Sequence, residues 1–174
     1  MGPGDVDALL VEAQRAAAEE RYTDALRALR AAARVAPEDP EVFTLLGAVA
    51  LRADRPAESE AALARAVELA PRDARALSAY GLALRAQRRY DEAEAALLRS
   101  LILRPADPST LAALGEVYRL SGQPEKCADR YEQFVWQLER EEAEAGSDLQ
   151  QRVLDTSRER MRECEAAAAA RETR

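Results

Sequence analysis

A period of 34 residues constrains the fold of this chain more than any other feature. Three glycines repeat at this interval, Gly47, Gly81 and Gly115, and three prolines do the same, Pro37, Pro71 and Pro105. A fixed period of about 20–50 residues is typical of stacked-repeat proteins, in which each unit buries its apolar face against its neighbours. We therefore expect a series of stacked units and not a single globular core.

Each period predicts a helix, a turn and a second helix. Aspartates that can cap a first helix stand 34 residues apart, at Asp5, Asp39, Asp73 and Asp107. Apolar residues recur at helical spacing on either side of a break such as Arg55–Pro56. The predicted fold is all-α, with an array over residues 1–141. Its repeats cover about 6–39, 40–73 and 74–107, and a degenerate fourth covers 108–141.

Residues 142–174 differ from the array in composition. The segment from Asp148 to about Ala170 predicts one long charged helix with a thin apolar stripe. We expect this helix to cap the open end of the array, as repeat proteins require. Alternatively it is a partner-binding or coiled-coil helix, because Leu154, Met161 and Ala168 are seven residues apart.

The aromatic residues Tyr118, Tyr131, Phe134 and Trp136 gather in the fourth unit. We expect them to form the seam on which the terminal helix docks, since burying an aromatic ring stabilises such a contact.

The charge and the missing histidines exclude several functions. The 174 residues have a net charge of −7 and no histidine, which disfavours nucleic-acid binding and excludes histidine-based catalysis and histidine-ligated metals. Acidic pairs at helix starts are explained by the helix dipole, so we predict no enzyme and no cofactor. A membrane-spanning helix needs an apolar run of about 18 residues or more, and no run in this sequence approaches that length. We therefore expect a soluble protein without membrane insertion.

The two cysteines, Cys127 and Cys164, are too few for a disulfide framework. We therefore expect a reducing, cytoplasmic location, with Cys127 as a buried free thiol that packs like a small apolar side chain.

Three repeat positions carry a family resemblance. The first is small, with Ala13, Gly47, Gly81 and Gly115; a second small position holds Ala25, Ser59, Ala93 and Cys127; a large position holds Leu29, Leu63, Leu97 and Tyr131. This pattern resembles the tetratricopeptide repeat family over about four fifths of the chain. The resemblance implies a right-handed superhelix of antiparallel helix pairs with a C-terminal capping helix.

The resemblance also implies a concave groove, lined by the first helix of each repeat, that binds a protein or peptide segment. The matching positions are Leu10, Gln14, Thr44, Ala48, Leu51, Arg52, Arg75, Ser78, Leu82, Arg85, Ala112, Glu116 and Arg119. Arg52, Arg85 and Arg119 recur toward one edge, where they could pair with a partner's acidic side chains or C-terminal carboxylate. Alternatively, these arginines are solvated or bridge to neighbouring glutamates.

The function that follows from this resemblance is a non-enzymatic adaptor or scaffold. Two alternatives are a small acidic chaperone for a secretion or assembly client, and a structural protein that stacks into oligomers; we expect a monomer. Members that hold the acidic C-termini of heat-shock proteins use a clamp of lysines, asparagines and arginine. The corresponding positions here are Leu10, Gln14, Leu45, Arg75 and Ala79, so that clamp is not predicted.

Overall fold

The computed structural model describes residues 3–105, 107–145 and 148–172. Within these ranges every regular element is an α-helix, which confirms the predicted all-α class. The helices are α1 (Pro3–Ala18), α2 (Tyr22–Val35), α3 (Pro40–Arg52), α4 (Pro56–Leu69), α5 (Ala74–Ala86), α6 (Tyr90–Leu103), α7 (Pro108–Leu120), α8 (Pro124–Ala145) and α9 (Asp148–Glu172). None of them is long and apolar enough to cross a membrane.

Aspartate caps start three of the odd-numbered helices, as the sequence predicts. The carboxylate of Asp39 accepts a hydrogen bond from the backbone N–H of Glu41 at 2.9 Å. Asp73 and Asp107 cap α5 and α7 in the same way. The prediction for Asp5 is wrong, because α1 already begins at Pro3. Proline suits the first turn of a helix, where its missing N–H has no partner to lose, so Asp5 lies inside that turn.

The turns inside the helix pairs share a backbone conformation that the sequence pattern does not reveal. Glu20, Asp54 and Arg88 have φ values of 57°, 56° and 62°, and Gly122 has 72°. These residues are again 34 positions apart, so each turn reverses through one left-handed residue. Only the fourth turn uses glycine, the residue that adopts this conformation without steric cost.

The small and large repeat positions meet where the two helices of a pair cross. A Cβ atom added to Gly47 would lie 2.9 and 3.0 Å from the two methyl carbons of Leu63 and closer still to its Cγ. The same atom on Gly115 would lie 2.9 Å from Cε2 of Tyr131. Glycine therefore sets the approach distance of α3 to α4 and of α7 to α8.

The chain forms two compact units, which divide between Ala96 and Leu97. In the first unit α1 packs on α2, α3 on α4, and α4 on α5. Its core is built largely of alanine and leucine, as around Ala28 and Leu29 of α2. In the second unit α7 packs on α8 and α8 on α9, so α9 lies against the last helix pair.

Two expectations about the second unit are wrong. Cys127 is buried as predicted, but it is not a free thiol, because it forms a disulfide with Cys164 and their Cα atoms lie 5.8 Å apart. Trp136 does not belong to the buried seam, since its residue is 55% exposed and its ring stacks with Arg140. Tyr118, Tyr131 and Phe134 are buried. Trp136 lies on the outer face of α8, where a guanidinium covers one side of its ring.

Candidate functional site

The first unit contains a cavity of about 260 Å³ between α1, α2 and α3. Most of its wall is alkyl, and much of that is alanine. Its lining residues are Ala13, Gln14, Ala17, Ala18, Leu29, Leu45, Ala48, Val49 and Arg52. The space stays open because the short alanine side chains do not reach across the gap between the neighbouring helices. The amide of Gln14 and the guanidinium of Arg52 are its hydrogen-bonding side chains.

Arg52 is held in place at this cavity by an aromatic residue. Its Nη2 donates to the hydroxyl of Tyr22 at 3.2 Å, and its guanidinium carbon lies 5.1 Å from the centre of the Tyr22 ring. Tyr22 is the first residue of α2, so the contact joins the first helix pair to α3. This cation–π contact orients the arginine, and within the described residues no carboxylate forms an ion pair with it.

Three of the groove residues predicted from the sequence line this cavity: Gln14, Ala48 and Arg52. Leu10 instead packs against the core of the first unit. Thr44 turns its hydroxyl back to donate to the carbonyl of Pro40 at 2.8 Å. Leu51 is half-buried in the last turn of α3.

The predicted groove residues on α5 are Arg75, Ser78, Leu82 and Arg85. Ser78, Leu82 and Arg85 are half-buried and Arg75 is exposed. Nε of Arg75 lies 4.0 Å from the Asp73 carboxylate, a weak surface contact. The side chain of Arg85 makes no ion pair or hydrogen bond with any part of the chain that the structure describes. Within the described residues, Arg85 is therefore a half-buried cation without a side-chain partner.

The second unit contains the remaining predicted residues, Ala112, Glu116 and Arg119. Ala112 is half-buried. Arg119 donates to Glu116 through Nη2 at 2.6 Å and Nε at 2.9 Å. That hydrogen bond is the main cause of the raised pKa of Arg119. Glu116 also accepts from the hydroxyl of Tyr131 at 3.3 Å. Arg119 thus follows the alternative in which an arginine bridges to a glutamate.

Burial and the neighbouring carboxylate of Glu116 raise the pKa of the Tyr131 phenol to about 12, and burial is the larger cause.

Within the ranges 3–105, 107–145 and 148–172, no cluster of three metal-ligating side chains occurs. The first-unit cavity presents alkyl, amide and guanidinium groups, which suit the binding of a polypeptide.

Sequence reasoning missed Tyr22 and most of the cavity wall. Ala13 and Leu29 stand at recognised repeat positions, where the pattern predicts only core packing. The open space arises because the alanines at positions 13, 17, 18 and 48 leave it unfilled between α1, α2 and α3. An unusual run of alanines in α1, from Ala16 to Ala18, was the available signal.

The model of the tetratricopeptide repeat family matches residues 10–71 and, one repeat further on, residues 44–108. These matches cover the helix pairs that form the cavity and extend through α6, more than half of the chain. The chain belongs to the tetratricopeptide repeat family. No curated protein is similar enough in sequence to count as a match.

Solved structures of tetratricopeptide repeat proteins share the fold. A crystal structure of PilW, described as a widely conserved type IV pilus biogenesis factor, is 24% identical with a TM-score of 0.73, covering 97% of this chain and 78% of that one. A crystal structure of MamA is 17% identical with a TM-score of 0.70, covering 97% and 94%. The first repeat domain of RPAP3, bound to the HSP90 peptide SRMEEVD, is 20% identical with a TM-score of 0.67, covering 70% and 97%. At these identities the likeness establishes the fold alone.

Proposed function

We propose that the chain is a non-catalytic interaction module whose first unit binds an extended or helical segment of a partner protein. The observation that carries this proposal is the alanine-walled cavity beside Arg52. An apolar side chain of the partner would fill it, because apolar burial drives most peptide recognition. Residues 142–174 are proposed as a cap on an array that spans residues 1–141.

The charge of the first-unit site suggests the partner's chemistry. Within the described residues, Arg52 contacts the ring of Tyr22 and forms no ion pair with a carboxylate, and Arg85 has no side-chain partner. A carboxylate near an apolar anchor would pair with such a guanidinium through charge-assisted hydrogen bonds. We therefore propose a partner segment that combines an apolar anchor with acidic side chains or a free C-terminus.

The RPAP3 domain binds a peptide that ends in acidic residues, which supports this class of partner in general terms. The positions of the heat-shock clamp differ here, with Leu10, Gln14 and Leu45 among them. We therefore do not propose that peptide as the ligand.

A charge reversal with a matched control tests the proposal. Arg85 lies in the last turn of α5 and Arg34 in the last turn of α2. Arg85→Glu should abolish capture of host proteins by the purified chain, as identified by mass spectrometry. Arg34→Glu makes the same change of charge, also in the last turn of a helix, but on the second helix of a repeat instead of the first. It should therefore capture the same set of proteins as wild type. Both variants should keep the wild-type helical circular dichroism.

A second variant blocks the cavity without removing a charge. Ala48→Arg places a long side chain in the space between α1 and α3 and should also abolish capture. If Arg85→Glu and Ala48→Arg both retain the wild-type set of partners, the binding site lies elsewhere, for example on α9. Light scattering of the same samples tests the expected monomer and the alternative of end-to-end stacking.

The compartment stays a prediction. The cytoplasmic expectation depended on unpaired cysteines, and disulfides are rare in reducing compartments. The bond between Cys127 and Cys164 weighs against that expectation. Fractionation of the native host tests it directly.

A further inference from the structure

α9 runs closely along α8, but it buries few of its own side chains for a helix of its length. α9 has 25 residues, but between residues 151 and 171 only Leu154, Ser157 and Cys164 are buried. By contrast α2, with 14 residues, buries five. Since burial of apolar side chains provides most of the stability of helix packing, α9 is held less firmly than the helices of the repeats.

Its polar contacts add little to this attachment. Arg158 pairs with Glu139 at 2.8 Å, and Arg171 donates to the carbonyl of Gly122 at 2.6 Å. Arg158 is over a third exposed and Arg171 more than half. Exposed pairs of this kind contribute little to stability, because solvent screens the charges and the long side chains lose freedom in pairing. The disulfide from Cys164 to Cys127 of α8 is therefore the strongest link between α9 and the last helix pair.

A cavity of about 270 Å³ adjoins this link. It is lined by Arg119, Gly122, Pro124, Glu163, Cys164, Ala167 and Arg171. Cys164 lines the cavity and Cys127 does not, so the two sulfur-bearing residues differ in access. The lining also includes Glu163, and Arg119 is already paired with Glu116. Arg171, whose nearest carboxylate oxygen is 3.9 Å away on Glu125, is the cation of this lining that favours a thiolate over a neutral thiol.

We propose that Cys127–Cys164 is a reversible latch, opened when a small anionic thiol of the glutathione class enters this cavity and exchanges at Cys164. Opening releases α9 from α8 and leaves the first unit folded. The latch is independent of the proposed binding site in the first unit.

The exchange is balanced by the thiols that drive it. An attacking thiolate forms a bond to the sulfur of Cys164 while the bond to Cys127 breaks, and Cys127 leaves as a thiolate that takes a proton from water. A second thiol displaces Cys164 from the mixed disulfide. Two thiols thereby supply two electrons and two protons and leave as one disulfide; the disulfide form of glutathione drives the reverse reaction.

Hydrogen exchange in defined glutathione buffers tests the latch on the full chain. On reduction, amides of residues 151–171 should exchange about tenfold faster or more, while peptides from α1 to α4 and from α7 keep their protection. Reoxidation should restore the original rates. Trapping with an alkylating agent followed by mass spectrometry should find the glutathione adduct on Cys164.

Two variants separate the covalent link from the polar contacts. Cys127→Ala/Cys164→Ala should show rapid α9 exchange in both buffers. Arg171→Gln should keep α9 protected while the disulfide is intact. If the double variant does not fold, the reduced and reoxidised wild type still decide the matter.

Four results would overturn the proposal. Unchanged α9 protection after full reduction would show that the bond is not what holds the helix. Loss of protection in α7 as well would make the bond a structural support of the whole second unit. If the disulfide stays intact at every ratio of reduced to oxidised glutathione under native conditions, the thiol does not enter through the cavity. A glutathione adduct on Cys127 would contradict that route as well.

Discussion

Replacing Gly47 by alanine tests the close crossing of α3 and α4. Two opposing terms act on this change. Alanine is the better helix former by about 1 kcal/mol, so an open site would gain stability. At Gly47, however, the new methyl group would lie 2.9 and 3.0 Å from the Cδ atoms of Leu63, whereas carbon atoms pack best at about 3.5–4.0 Å.

Leu63 cannot move aside easily, because it is fully buried and the nearest of its atoms is the branch point Cγ. Overpacking of a well-packed core costs about 1–3 kcal/mol and more where the overlap is severe. The overlap at Gly47 belongs at the upper end of that range, about 2–3 kcal/mol. After subtraction of the propensity gain of about 1 kcal/mol, we expect Gly47→Ala to lower the free energy of unfolding by about 1–2 kcal/mol.

The effect of Gly47→Ala on the free energy of unfolding should change sign once the side chain of Leu63 is shortened. Leu63→Ala alone should cost about 2–5 kcal/mol through the cavity that it leaves. In that background Gly47→Ala should stabilise by about 1 kcal/mol, because only the propensity gain remains. Ala61→Gly, on the exposed side of α4, measures the propensity term by itself.

Urea denaturation followed by far-ultraviolet circular dichroism gives the four free energies of this cycle. If Gly47→Ala stabilises the wild type as much as it stabilises Leu63→Ala, the reasoning about the crossing is refuted. Unequal m-values would instead show that a variant changes how much of the chain unfolds together.

Three further predictions concern the turns and the titrating groups. Arg88→Gly should raise the unfolding free energy by about 0.5–1 kcal/mol, since it relieves a left-handed residue, and Gly122→Ala should lower it by about 1 kcal/mol; urea midpoints measure both. The pKa of Glu60 is held below its usual range by a hydrogen bond from Gln87 and then by Arg89. Its contribution is therefore present above its unfolded pKa, about 4.3, and lost as the pH falls through the folded value, so the deficit of Glu60→Gln seen at neutral pH should vanish in acid urea titrations. The pKa of Tyr131 is raised to about 12, so this residue contributes stability in full below about pH 10 and loses it as the pH rises through about 12; Tyr131→Phe should remove a step near pH 12 from the ultraviolet titration.

The repeat pattern predicted the helix pairs because its signals are local and recur. An aspartate one residue before a helix caps it wherever the chain lies in space, and Asp39 shows this directly. The small and large positions also recur, but that Gly47 meets Leu63 was seen only at the crossing of α3 and α4. Asp5 failed because a proline three residues into the chain starts the helix earlier.

The candidate site could be predicted only in part. Gln14, Ala48 and Arg52, which the sequence assigns to the groove, line the cavity, because the face of a helix follows from its period. Whether an arginine is available to a partner does not follow from that period. Arg119 pairs with Glu116 one turn away, while Arg85 finds no side chain within the described residues.

The sequence by itself determined the helical repeats, the positions of their turns and the face that each helix presents, since these depend on spacing along one chain. Tertiary structure decided which side chains meet across elements. Cys127 and Cys164 are 37 residues apart on different helices, and their spacing does not determine the axial position of α9 relative to α8. Their bond, like the contact of Arg52 with Tyr22, exists only because packing sets that register, and packing depends on all the side chains of both helices at once.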